Sequence, residues 1–425
     1  MTVRLTTLNN GLRVVTDAMP HLKTATVGVW VDAGARDESA AENGVAHLLE
    51  HMAFKGTERR TARALAEEIE AVGGQIDAYT SREQTAFYAR VMSEDVPLAV
   101  DILADILQHP VFSEVELERE RQVVIQEIGQ AEDTPDDVVF DLLQETAFPG
   151  QALGRSILGT VAGIGAMTRN QLSDYMARHY KAPKMVLAAA GGLDHEQLVA
   201  LAADAFAGLA RGGDAAETPA VFQGGDARRE RDLEQVHFTL AVPGVSFADP
   251  DFHAVQIYST ILGGGMSSRL FQEVREVRGL AYAVFSFASS FSDGGLFGVY
   301  AATGEREAET LVPVLLDEMH KLSERVGEDE VARAKAQLKA GLLMSLESSS
   351  ARAEQLGRQV LTYGRPLVVE DLLAAVARVD GDAVTRVGRR LLAGAQPAVA
   401  AIGRIQHLAS YPQIAAQFTG AQARK

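Results

Sequence analysis

The chain has no cysteine. A thiol nucleophile, a disulfide framework and a thiolate-bound metal are therefore excluded. The lack of thiols fits a reducing, cytoplasmic setting. No apolar run approaches the roughly 18 residues that a membrane-spanning helix needs, so no membrane role is expected. Met1 to Val15 has neither the apolar core of a secretory signal nor the Arg- and Ser-rich pattern of a transit peptide. Positive charge is also scarce: 40 Lys and Arg stand against 57 Asp and Glu, a formal net charge of −17. Such a surface repels phosphates, which argues against nucleic-acid binding. It serves general solubility and would also steer a basic peptide towards the protein.

What is present is an ordinary globular composition, 47% hydrophobic and 23% charged, over 425 residues. That length exceeds what one hydrophobic core usually serves, so at least two domains are expected. The chain reads as two copies of one unit. A hairpin signal at Arg4 to Val15 turns at Asn10-Gly11, and an apolar strand follows at Thr26 to Asp32. A similar strand, Val236 to Val242, opens the second copy. Late in the first copy Met185 to Ala190 ends at Gly191-Gly192; late in the second, Ala398 to Ile402 ends at Gly403. Matching strands lie roughly 210 residues apart at both ends, which marks a duplication.

Between the copies, Gly208 to Asp232 gathers Gly212-Gly213, Pro219, Gly224-Gly225 and a charge run, the composition of a linker. The expected domains are thus residues 1–210 and 233–425, joined by 211–232. In the first copy, Thr61 to Val72 predicts a helix stopped by Gly73-Gly74. Gln75 to Thr80 and Thr85 to Val91 predict a hairpin, and Val96 to Gln108 and Ser113 to Asp133 two more helices. Antiparallel strands mixed with amphipathic helices make the expected class α+β.

One segment carries chemistry: His47-Leu48-Leu49-Glu50-His51, inside an apolar stretch of helical character. Residues four apart share a helix face, so His47 and His51 can both reach one metal ion. Glu50 borders that face and can take a proton from a metal-activated water without being a ligand. This H-x-x-E-H pattern is the inverted zincin motif. Histidines on an apolar helix face are more often satisfied core residues, but a carboxylate between them is costly to bury unless paired or metal-linked. Catalytic zinc takes three protein ligands and leaves a position for water, so a third ligand must come from elsewhere. Glu120 and Glu127 lie seven residues apart on one face of the 113–133 helix. Glu127 sits among Val123, Val124, Ile125 and Ile128 and needs a partner. Glu120 lies among Arg119, Arg121 and other charges, where a solvated helix face competes with a role in orienting a ligand.

These residues resemble the pitrilysin family of inverzincin metallopeptidases, and most closely the branch of mitochondrial processing peptidase and its bacterial relatives. His47, Glu50 and His51 match the family's metal motif, Glu127 falls at the separation of its third ligand, and Glu120 matches its companion glutamate. The resemblance covers nearly the whole chain, duplication included. It implies one zinc ion per chain on His47, His51 and Glu127, with Glu50 as general base. It also implies an architecture of two homologous domains that enclose a chamber. A second cluster supports it: Gly263-Gly264-Gly265-Met266-Ser267-Ser268-Arg269-Leu270-Phe271, then Arg275 and Gly279-Leu280-Ala281-Tyr282. By resemblance, Arg275 and Tyr282 hold the substrate backbone, with the Tyr282 hydroxyl near the developing oxyanion. Taken alone, Arg275 reads as a surface charge and Tyr282 as a core aromatic.

The second copy lacks the metal set. Gly265 to Leu270 stand where the first copy has its histidines, and Gln337 to Gly341 where it has Glu127. In one place the chain departs from the family: Asp77-Ala78-Tyr79-Thr80 carries Asp77 where an Asn is common. The resemblance makes this strand, with Asp77, Ala78 and Thr80, the one that pairs with an extended substrate. The resulting expectation is a zinc endopeptidase acting on peptides or unfolded segments, basic ones included. The alternative is a catalytically silent structural or assembly subunit of the same fold. Some relatives divide the zinc site and the glycine-rich part between two chains; this chain carries both, so a homodimer or self-sufficient monomer is expected.

Overall fold

Apolar runs that read as strands form the centres of two sheets, in a computed structural model that describes residues 3–212 and 218–419. Residues 213–217 of the expected linker lie outside the described residues. In chain order the first elements are β1 (Val3–Thr7), β2 (Arg13–Ala18), β3 (Thr24–Val31), α1 (Val45–Ala53) and α2 (Ala62–Ala71). They are followed by β4 (Gln75–Thr80), β5 (Thr85–Met92), α3 (Val96–Gln108) and α4 (Glu114–Glu132). Then come α5 (Pro135–Ala147), α6 (Val161–Ala166), α7 (Arg169–His179), β6 (Met185–Gly191) and α8 (His195–Ala205). The rest is β7 (Gly225–Glu230), β8 (Val236–Pro243), α9 (Phe252–Gly263), β9 (Ala281–Ser290), β10 (Gly295–Thr303) and α10 (Ala308–Glu324). It ends with α11 (Glu328–Ser345), α12 (Ser349–Tyr363), α13 (Val369–Arg378), α14 (Gly381–Leu392), β11 (Ala398–Gly403) and α15 (Tyr411–Thr419). Two largely antiparallel sheets with helices packed on them bear out the α+β class. Among the described residues, no helix is long and apolar enough to cross a membrane.

The chain divides into two compact units that do not follow its two halves. The first is Met1–Gly129, Arg155–Glu217 and Leu342–Leu367; the second is Gln130–Gly154, Thr218–Gly341 and Val368–Lys425. The expected domains, residues 1–210 and 233–425, do not coincide with these units. Compactness is shared out differently, because α5 belongs to the second unit and α12 to the first.

In the first unit the strand order is β1-β2-β6-β3-β5-β4, with β2 and β6 parallel and the other neighbours antiparallel. β3 and β6 are almost wholly buried, which is why they read as unbroken apolar runs. One face packs on α1, α3 and α8. The other is covered by α12, whose Ala353, Leu356 and Val360 meet Val15, Trp30, Val186 and Ala188. The fit is close: a Cβ on Gly357 would lie 2.4 Å from the Trp30 ring. Arg352 Nε of α12 donates to Asp17 Oδ2 at 2.7 Å, a pair almost fully buried.

In the second unit the order is β7-β11-β8-β10-β9, with β7 and β11 parallel and the rest antiparallel. Strand for strand this repeats β2-β6-β3-β5-β4, so the duplication is legible in topology. Here α5 covers a face, with Val139, Leu143 and Ala147 against Ala241, Ala400 and Ile402. Phe140 stacks on Tyr300 with ring centroids 5.6 Å apart. β7 lies inside the expected linker. Its sequence, Gly225-Asp226-Ala227-Arg228-Arg229-Glu230, has too few apolar residues to read as a strand. Charge suits it to the sheet edge it occupies beside β11.

Candidate metal centre

α1 turns its two faces to different tasks. Val45, Ala46, Leu48, Leu49, Met52 and Ala53 are buried in the core, which leaves His47, Glu50 and His51 on the remaining face. The helix starts at Gly44, which has φ 93°. A Cβ there would also lie 2.7 Å from Ile164 Cδ1, so only glycine fits this entry.

α4 brings the carboxylates. His47 Nε2 lies 3.6 Å and His51 Nε2 3.5 Å from Glu127 Oε2. These spacings are too long for good hydrogen bonds. They are close to the roughly 3.4 Å that separates ligands holding one tetrahedral zinc at about 2.0–2.1 Å. Among the described residues, His47, His51 and Glu127 are the one group of three or more such side chains whose ligand atoms converge, all within 4.8 Å of one another. Two imidazoles and a carboxylate are also the donor set that zinc favours in hydrolases. The residues therefore fit zinc.

The surroundings prepare these groups for a cation. Burial, then the neighbouring His51, pushes His47 down to about 4, so its ring is neutral and able to ligate at ordinary pH. His51 Nδ1 lies 3.1 Å from Glu120 Oε2. Glu120 is buried, and its other oxygen takes Lys55 Nζ at 2.8 Å. The alternative of a solvated helix face for Glu120 is thus set aside, because its carboxylate faces inward between a histidine and a lysine. His47 has no such support: its Nδ1 is buried without a hydrogen-bond partner. Lys55, two residues past the end of α1, was not among the expected site residues.

Burial raises Glu50, and Thr80 opposes that shift by donating Oγ1 to Glu50 Oε2 at 2.6 Å. Thr80 ends β4, the free edge of its sheet among the described residues. Ser81 N–H donates to Gln84 O at 2.7 Å and closes a two-residue turn. Pairs alternate from there, so Thr80 opposite Thr85 and Ala78 opposite Phe87 are non-hydrogen-bonded pairs. Their backbone N–H and C=O groups therefore face the free edge. Asp77 Oδ1 accepts from the Ala78 N–H at 2.8 Å, and Tyr88 donates its hydroxyl to Asp77 Oδ2 at 3.3 Å.

Arg275 and Tyr282 belong to the second unit. Arg275 sits on a π-helical turn, Phe271–Val277, and Tyr282 is the second residue of β9. Arg275 Nη1 donates to Tyr282 O at 3.0 Å, and its guanidinium lies 4.5 Å from the Tyr282 ring centroid. Tyr282 alone read as a core aromatic; it is 75% exposed.

Two regions of the chain match family models, residues 13–161 that of "Insulinase (Peptidase family M16)" and residues 166–338 that of "Peptidase M16 inactive domain". The chain is 43% identical over 423 residues to a probable mitochondrial-processing peptidase subunit beta of Arabidopsis thaliana, covering 96% of this chain and 80% of that protein. It is 40% identical over 415 residues to an uncharacterised zinc protease of Streptomyces coelicolor, covering 95% of this chain and 90% of that one. A protease from Helicobacter pylori shares the fold, with a TM-score of 0.89, 22% identity and coverage of 94% of this chain and 99% of that one.

Proposed function

The chain belongs to the insulinase family of peptidases, peptidase family M16, and on that premise we propose that it is a zinc-dependent endopeptidase acting on peptides or unfolded segments in the manner of a processing peptidase. The convergence of His47 Nε2, His51 Nε2 and Glu127 Oε2 at tetrahedral spacing carries this reading. These three side chains would hold one zinc ion per chain. Bound there, zinc supplies Lewis acidity, which acidifies a water and polarises a peptide carbonyl.

The chain's own groups do the rest. Glu50, held by Thr80, takes a proton from the attacking water and hands it to the leaving amine nitrogen. Burial raises its pKa and makes it a stronger base than a free carboxylate. The outward N–H and C=O groups of Ala78 and Thr80 offer an extended peptide a strand partner. For that, Asp77 must release the Ala78 N–H. Arg275 and Tyr282 serve as donors to the substrate backbone and the developing oxyanion. That both sets lie on one chain supports an enzyme complete in itself, alone or as a homodimer.

Metal content and cleavage of a quenched basic peptide test this, with wild type beside Glu50→Gln. One zinc in both proteins and cleavage by wild type alone is expected. Neither zinc nor cleavage in the wild type would favour a silent subunit of the same fold, and equal turnover in the variant would remove Glu50 as the base.

A further inference from the structure

The helix that carries His47, Glu50 and His51 begins at a carboxylate the proposed reaction does not use. Glu38 is 3% exposed and aims its side chain at the first turn of α1. Oε1 accepts from the Ala46 N–H at 2.9 Å. Oε2 accepts from the Gly44 N–H and from Asn43 Nδ2, each at 2.9 Å. Asn43 Nδ2 also donates to Ser156 O at 2.9 Å, and Arg155 donates to the backbone carbonyl of Glu38. The carboxylate is therefore tied to the helix start, while the Glu38 backbone and Asn43 are tied to the segment 155–156.

Amides at a helix start lack intrahelical acceptors, and a negative charge there is favoured by the helix dipole. A local cap would ordinarily meet that need. At α1 the N-cap is Gly44, which has no side chain to offer. The acceptor comes instead from a residue six positions earlier, and it grips two amides that flank Val45. Holding Gly44 and Ala46 together fixes both the rotation and the height of the helix. His47 follows Ala46 directly. Burial pushes the Glu38 carboxyl up to about 7, against its three hydrogen bonds and Arg155, which all pull it down. A buried acid kept at that cost is poorly explained by stability alone.

We propose that Glu38 is a positioning residue for the metal centre, holding the first turn of α1 so that His47 and His51 both face Glu127. The inference rests on the zinc reading above. Glu38 touches no ligand; it acts through the helix.

The test is zinc affinity of the full-length, metal-stripped chain by competition with a chelator. Wild type is compared with Glu38→Gln and with Asn43→Ala, which removes one donor and leaves the carboxylate. Circular dichroism confirms that each variant is folded at the temperature used. Cobalt in place of zinc gives a visible spectrum that reports coordination geometry. Glu38→Gln should bind zinc about 10–100-fold more weakly, the usual effect of losing support behind a ligand, with an altered cobalt spectrum. Asn43→Ala should move the same way by less, and decides the matter if Glu38→Gln does not fold. A merely structural Glu38 would lower thermal stability and leave both readouts of the folded protein unchanged. Zinc affinity within about twofold of wild type in a folded Glu38→Gln would overturn the proposal while leaving the zinc site standing. A wild type that binds no zinc would take down both.

Discussion

In the first unit β3 is followed by α1, with a histidine, a glutamate and a histidine on its outer face; in the second, β8 is followed by α9, Phe252–Gly263, most of which is buried, so α9 and not the expected Gly265 to Leu270 stands where the histidines are. α4 and α11 stand at the same place in the two repeats. Counted from their starts, Glu120 and Glu127 fall opposite Ala334 and Gly341. The five-strand order is the same in both. A sheet of this order therefore needs no metal to form, and the metal set is an addition carried by two helices of one copy. The family model matching residues 166–338 is named for an inactive domain, in keeping with that division.

Four changes would sharpen or break this contrast. The largest effect is expected from Glu127→Gly, which gives α4 the residue that α11 has. Bound zinc and peptide cleavage should both fall below detection while the fold persists, as read by metal analysis and circular dichroism. Next is the helix that closes the first sheet. Arg352→Met strands Asp17 in the interior, where its Oδ1 already lacks a partner. Denaturant titration should show a loss of about 3–5 kcal/mol. Phe140, the corresponding anchor of α5, depends on stacking rather than charge, so its replacement strands no buried charge.

The third concerns Glu38. Burial raises its carboxyl from the ordinary value of 4.5 to about 7, so in that window the folded state binds a proton that the unfolded chain has released. Its contribution to stability is full below about pH 4.5 and is lost as pH rises to about 7, on the order of 3 kcal/mol in all. The stability of wild type relative to Glu38→Gln should fall across this range, and a flat difference would show that the carboxyl is not shifted. The smallest effect is expected from Thr80→Val, which removes the hydrogen bond to Glu50. kcat/KM should drop roughly tenfold with zinc content intact, the scale of one bond to a charged group.

Local signals told most of this in advance. The helix expected at Val96 to Gln108 has those same ends, and the hairpin at Asn10-Gly11 forms as β1 and β2. The i, i+4 histidines and the seven-residue spacing of Glu120 and Glu127 put the right atoms on the right faces. What escaped reading was non-local. β7 owes its strand conformation to a partner, β11, far along the chain. The helical period of α12 shows an apolar face but not which sheet it covers. Glu38 reaches amides that no cap pattern connects with it, and Thr80 reaches Glu50 across 30 positions.

The placement of α12 also bears on how the chain is made. β6 ends at Gly191 and α12 ends at Tyr363. At a synthesis rate of about 5–20 residues per second, roughly ten to thirty seconds separate the two. Through that interval Val15, Trp30, Val186 and Ala188 have no cover, although they are buried in the finished protein. The nascent first repeat is thus a sheet with one sticky side, dependent on a chaperone or on haste until the second repeat arrives. A gene cut at residue 210 would make that condition permanent.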